Sequence, residues 1–211
     1  MKNKYLLPSL ISLMIVLFSV SNITAQGLQD YVITHRNDTI KCSLESQLFG
    51  SPKYKPMGAD ELIKINSDSI KEYCFHNKPN PKVSVKLGTD EDRKFLDRIE
   101  KGAICLYESS QTITTTNNQY GAAAGTSGTT TSTNTKIEWY AAKQGSDVVN
   151  IIKNNQFLNF GTSKKQRKKN FTDLLTDNPD LLKQFTDVDD YSFDAIRKTI
   201  QIYNESAVIK K

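Results

Sequence analysis

The spacing of apolar residues changes character along this chain. In the first half it is short and strand-like. Tyr31-Val32-Ile33-Thr34-His35 runs into Arg36-Asn37-Asp38, a turn-forming cluster. Ile40, Cys42 and Leu44 then alternate with Thr39, Lys41, Ser43 and Glu45. Strict alternation puts one face in a core and the other in water, so the two segments predict a hairpin. Lys53–Met57, Ser69–His76 and Lys82–Leu87 are further strand candidates, and in the last Val83, Val85 and Leu87 share a face. Asn77-Lys78-Pro79-Asn80-Pro81 reads as a loop. Asp60–Ile65 fits either one helical turn or a strand edge. Lys94–Tyr107 continues the strand pattern, with a turn at Lys101-Gly102 and a short buried strand at Ile104-Cys105-Leu106-Tyr107.

From Glu108 to Lys136 the chain is almost entirely Ser, Thr, Asn, Gln, Gly and Ala. Such a stretch has little to bury against its ordering entropy, which predicts a mobile insert at about 109–135. Apolar spacing resumes at Ile137-Glu138-Trp139-Tyr140-Ala141. The simplest arrangement is a hairpin of Ile104–Glu108 against Ile137–Ala142 with an overlong tip. After a turn at Lys143–Asp147, Val148–Phe160 reads as a strand followed by a short helix.

The last part has helical spacing. Phe171, Leu174 and Leu175 form one stripe. Asn178-Pro179 ends that helix and starts another, with Asn178 as cap and Pro179 in the first turn. Leu181, Leu182 and Phe185 give its inner face, and Ser192 caps a final helix whose apolar face is Phe193, Ile196, Ile200 and Tyr203. The expected fold is α+β: an antiparallel β-rich part, a small barrel or meander, over 26–160, and a helical region over 161–211.

The first 25 residues stand apart. Lys2 and Lys4 precede an apolar run, Leu6–Val20, interrupted by Pro8, Ser9, Ser12 and Ser19, and Ala25 precedes Gln26. This order matches a secretory signal peptide, and the run is short of the roughly 20 residues of a membrane span. No Cys stands at the cleavage point to take a lipid anchor. The expectation is export to the periplasm or beyond, with no membrane span in the mature chain. The leader holds two lysines and no acid, leaving +3 of the formal +5. That is well below the basic footprint of a nucleic-acid binder.

Cys42, Cys74 and Cys105 each lie in an apolar, strand-like segment. Three buried thiols is one reading and a Cys42–Cys74 bridge the other; an odd count leaves at least one cysteine outside any intramolecular pair. His35 and His76 are the two histidines. Cys74 and His76 would share a strand face, but two ligands fall short of a zinc site.

Three passages resemble a group of small exported proteins of unknown function common in Bacteroidota. They are Asp30-Tyr31-Val32-Ile33-Thr34 with Asn37-Asp38-Thr39-Ile40-Lys41; Gly102-Ala103-Ile104-Cys105-Leu106-Tyr107 with Trp139-Tyr140; and Asp177-Asn178-Pro179-Asp180-Leu181 with Tyr203-Asn204. The group often has glycine where this chain has Asn37. The resemblance implies a periplasmic or surface setting and a β part followed by helices, and it carries no activity.

The strongest charge feature is Lys164-Lys165-Gln166-Arg167-Lys168-Lys169, a candidate anion-binding run through Lys164, Lys165, Arg167, Lys168 and Lys169. Asp38-Thr39-Ile40 and Asp68-Ser69-Ile70 resemble the O-glycosylation acceptor used in Bacteroidota, making Thr39 and Ser69 candidate acceptors. Asp187-Val188-Asp189-Asp190 starts like a calcium loop but lacks its glycine and closing glutamate. There is no Gly-x-Ser-x-Gly, phosphate-binding glycine loop, His-Glu-x-x-His or Cys-x-x-Cys, and no cofactor is implied. The expected function is a non-catalytic binding or structural module of the envelope, with a protein or glycan as partner. The alternative is a hydrolase of envelope or extracellular polysaccharide, using a carboxylate pair that spacing does not single out.

Overall fold

The structure is a computed structural model that describes residues 29–47, 50–120, 127–156 and 162–209. The leader and the short helix expected before Phe160 lie wholly or partly outside these residues. The strands are β1 (Tyr31–Thr34), β2 (Thr39–Glu45), β3 (Lys53–Pro56), β4 (Ile63–Lys64), β5 (Ile70–Cys74), β6 (Lys82–Leu87), β7 (Arg93–Glu100), β8 (Ile104–Tyr120), β9 (Ser127–Lys143) and β10 (Val148–Asn154). Three helices follow: α1 (Lys164–Asp173), α2 (Pro179–Val188) and α3 (Phe193–Ile209). The protein is therefore α+β, β-rich with C-terminal helices.

The strands form one sheet in the order β10-β9-β8-β7-β6-β5-β1-β2-β3-β4. Neighbours in that order pair antiparallel. β10 also pairs in parallel with β6, at Val148↔Lys86 and Val149↔Leu87, so the pairings from β6 through β10 return to β6. β6 can serve three neighbours because it divides its length. Its start faces β5 at Glu72↔Val83, and its end takes β10.

Alternation along the strands sorts side chains into three cores. Val83, Val85, Leu96, Tyr107, Tyr140, Ala142 and Val149 pack together among β6–β10. Ile104, Leu106, Trp139, Ala141 and Ile152 point the other way, against Phe171, Leu175, Leu181, Phe185, Ile196, Ile200 and Tyr203 of the helical region. Val32, Cys42, Leu44, Tyr54, Ile65, Ile70 and Tyr73 close the N-terminal end. The helix caps form as the sequence indicates: Asn178 Oδ1 accepts from Leu181 N at 3.3 Å, and Ser192 Oγ accepts from Ala195 N at 3.1 Å. Leu174 and Leu175 follow the end of α1 in a turn, yet Leu175 is fully buried.

Of the two readings of Asp60–Ile65, the strand edge holds: Ile63–Lys64 forms β4 at the end of the sheet. One local expectation is corrected. The β8–β9 hairpin does not stop at Glu108 and Ile137; its ladder runs unbroken to Tyr120↔Ser127. Composition alone does not show this, because paired Thr-rich strands satisfy one another's backbone groups, and no side chain over Ser109–Thr116 is buried. The ten steps beyond Ser110↔Ile137 extend about 34 Å at a strand's rise.

Candidate functional site

Where the β1–β2 hairpin meets β5–β8, an open cleft of about 570 Å³ forms. This lies within the range typical of ligand sites, about 300–1,000 Å³. Its apolar lining includes Ile33, Val83, Val85 and Tyr107, and Asn37, Thr39, Ser84, Gln144 and Ser146 add amide and hydroxyl groups. Lys71, Arg93, Arg98 and Lys101 bring four cationic side chains to it, against the carboxylates of Glu72 and Asp147. A smaller hollow of about 370 Å³ between α2 and α3 gathers no comparable set of charges; Asp190, Asp194 and Lys198 line it.

Strand register places the cleft charges. Glu72 stands opposite Ile33 and Val83, and Arg98 opposite Tyr107. Arg98 holds Glu72 in two-pronged fashion, with Nη1 to Oε2 at 2.8 Å and Nη2 to Oε1 at 3.1 Å, and Tyr31 OH donates to Oε1 at 2.9 Å. Burial and the bond to Glu72 push the Tyr31 hydroxyl well above its ordinary value, so it remains a donor. Arg93 Nη2 donates to Asp147 Oδ2. Burial works to raise the Asp147 pKa, but the bond and charge of Arg93 outweigh it and hold the carboxyl below the usual range. Both cleft carboxylates are thus ionic partners of arginines. Lys71 Nζ donates to Asn37 Oδ1 at 2.6 Å and pairs with no carboxylate among the described residues; neither does Lys101. The cleft therefore carries two cations that its own acids do not neutralise.

The sequence candidates are dispersed. Lys164 and Lys165 open α1, exposed. Arg167 turns inward, where Nη1 donates to Thr162 O, while Lys168 pairs with Asp189 and Lys169 with Asp173 at 2.6 Å. Thr39 and Ser69 are both exposed, and Thr39 lines the cleft. Asp189 ends α2 in a left-handed conformation (φ 50), and Asp190 Oδ1 accepts from Ser192 N. These acids serve helix ends.

The three cysteines are free thiols. Cys42 is 2% exposed, and burial raises its pKa to about 11. His76 turns to Asp30 rather than to Cys74: Nδ1 lies 2.7 Å from Asp30 Oδ1. His35 Nε2 bonds Ser67 O at 3.0 Å.

The resemblance passages supply Ile33, Asn37, Thr39 and Tyr107 to the cleft and also make contacts of the scaffold. Asn37 has φ 66, a left-handed turn in which glycine and asparagine are the least strained residues. Asn204 reaches from α3 to the start of β8, where Oδ1 accepts from Ile104 N at 2.7 Å and Nδ2 donates to Ile104 O at 2.9 Å. Asp177 accepts from Tyr203 OH at 2.6 Å and from Lys143 Nζ at 2.9 Å.

Sequence reasoning missed Lys71, Arg93, Arg98 and Lys101. Each is one charge on the polar face of an alternating strand or its adjoining turn, and only the pairing of β5, β6, β7 and β8 assembles them. No protein-family model, no curated protein and no solved structure matches the chain.

Proposed function

We propose that this chain is an exported, non-catalytic binding module of the cell envelope, related to the Bacteroidota group it resembles, whose cleft takes an acidic glycan. The observation that carries the reading is the pair of unneutralised lysines, Lys71 and Lys101, beside two internally balanced arginine–carboxylate pairs. A uronic-acid saccharide fits this chemistry: its carboxylates meet the lysines, its hydroxyls the amides and hydroxyls of Asn37, Ser84, Gln144 and Ser146, and its ring faces the apolar lining. We read the strands β6–β10 as a small barrel, with the cleft where β1–β2 leans on its rim. The leader pattern at Met1–Ala25 supports the exported setting. Among the described residues no helix is long and apolar enough to cross a membrane.

Support for binding rather than hydrolysis comes from the acids. A glycosidase needs one carboxyl kept protonated as general acid. Glu72 and Asp147 are instead held by Arg98 and Arg93. Lys164 and Lys165, exposed at the start of α1, are at most a weak second contact for an anion. The test is calorimetric titration with oligogalacturonate and with a neutral oligosaccharide of equal length. Binding of the acidic oligomer alone, weakened about tenfold in Lys71→Gln/Lys101→Gln, is expected. Equal affinity for both oligomers, or indifference to the double substitution, would sink the reading.

A further inference from the structure

The outer halves of β8 and β9 leave the sheet as a two-stranded ribbon. β7 ends its pairing with β8 at Asp97↔Glu108. On the other side Asn155 caps β9: its N donates to Ile137 O at 3.2 Å, its Nδ2 to Thr135 O at 2.8 Å, and its Oδ1 accepts from Ile137 N at 2.9 Å. Beyond Glu108 no described strand covers the outer edge of β8, whose outward N–H and C=O groups are open over Ser109–Tyr120. Proteins normally guard such an edge with lysine, proline or a bulge. Here Ser109–Thr135 contains no Asp, Glu, Lys, Arg or Pro, and the β8–β9 register has no shift. Ile113, the one branched aliphatic residue in that stretch, is 53% exposed near the root half of the open edge.

We propose that this ribbon is a dimerisation arm: the open edge of β8 pairs antiparallel with the β8 edge of a second copy, about a twofold axis near Ile113. A second copy is the occupant because the edge is self-complementary. It is neutral and rich in threonine, and the two Ile113 side chains meet across the axis, as an isologous contact requires. An isolated two-stranded ribbon is marginal in water, and pairing makes it four-stranded. With the axis at Ile113 the edge pairs over Ser109–Asn117, and about 27 Å is long enough for a continuous ladder.

Light scattering and sedimentation velocity on the purified protein test this. The chain should dissociate from dimer to monomer on dilution, with little dependence on salt because the contact is uncharged. Ile113→Lys sets like charges opposite each other across the axis and should weaken the dimer about tenfold or more, with unchanged far-ultraviolet dichroism. In a second variant Asn-Gly replaces 112–135, closing the ladder at Gln111↔Lys136 with a two-residue turn; it should be monomeric and melt like the wild type. A wild type that is monomeric throughout the micromolar range overturns the proposal. So does a dimer that survives both changes, or an edge that accepts a foreign strand while the chain itself stays monomeric.

Discussion

Asp30 precedes β1 and ties three segments together through one carboxylate. Its Oδ2 accepts from Leu44 N at 2.8 Å, and its Oδ1 lies 2.7 Å from both His76 N and His76 Nδ1. Burial opposes ionisation, but the bonds from His76 and Leu44 outweigh it and hold the carboxyl below the ordinary aspartate value of 3.8. A lowered folded-state pKa means that the native form binds fewer protons than the unfolded chain. Its stabilisation is therefore complete above the ordinary aspartate range and is lost as pH falls through the folded value. Asp30→Asn should cost about 2 kcal/mol at neutral pH, read from urea midpoints, and should flatten the decline in stability below pH 4. An unchanged acid limb would show that Asp30 is not the coupling group. At Arg98 the expected effect is larger. Arg98→Met leaves Glu72 buried with only Tyr31 as a donor and should cost about 3 kcal/mol by the same measurement. None of this is legible in the sequence beyond the presence of acids and bases. What was legible is the turn at Asn37, because a left-handed residue is a local requirement.

Periodicity carries furthest for the secondary elements. Ile40, Cys42 and Leu44 fixed the inward face of β2, and Asn178-Pro179 and Ser192 fixed the starts of α2 and α3. In each case the signal and the structure lie within a few residues of one another. The ribbon was missed for the opposite reason: its order comes from a partner strand, and composition weighs only what a segment can bury by itself. Between elements, Gly102 shows how a small residue sets a docking distance. A Cβ built there would lie 2.3 Å from Asn204 Cγ, so Gly102→Ala must push Asn204 off Ile104. The substitution should cost about 1–3 kcal/mol and selectively raise hydrogen exchange at the Ile104 amide. Uniform loss of protection across all strands would mean that Asn204 is not the latch between α3 and β8.

For the whole molecule, the α+β class with C-terminal helices was legible, because strand patterns followed by helical patterns determine how the layers are built. The sequence's one candidate for anion binding was the basic run in α1. There the helix period scatters the charges: Arg167 goes inward, and Lys168 and Lys169 meet Asp189 and Asp173. The cleft was invisible in one dimension, since it draws on the β1–β2 turn, β5, β6, β7, β8 and the turn at 144–147. The measurement that bears most directly on the account is an amide chemical-shift titration of the labelled protein with oligogalacturonate. The expected result is saturable, salt-sensitive shifts centred on Asn37, Lys71, Lys101 and Gln144, with Lys164 and Lys165 moving weakly or not at all. Shifts confined to the start of α1, or none anywhere, would contradict an acidic-glycan site in the cleft.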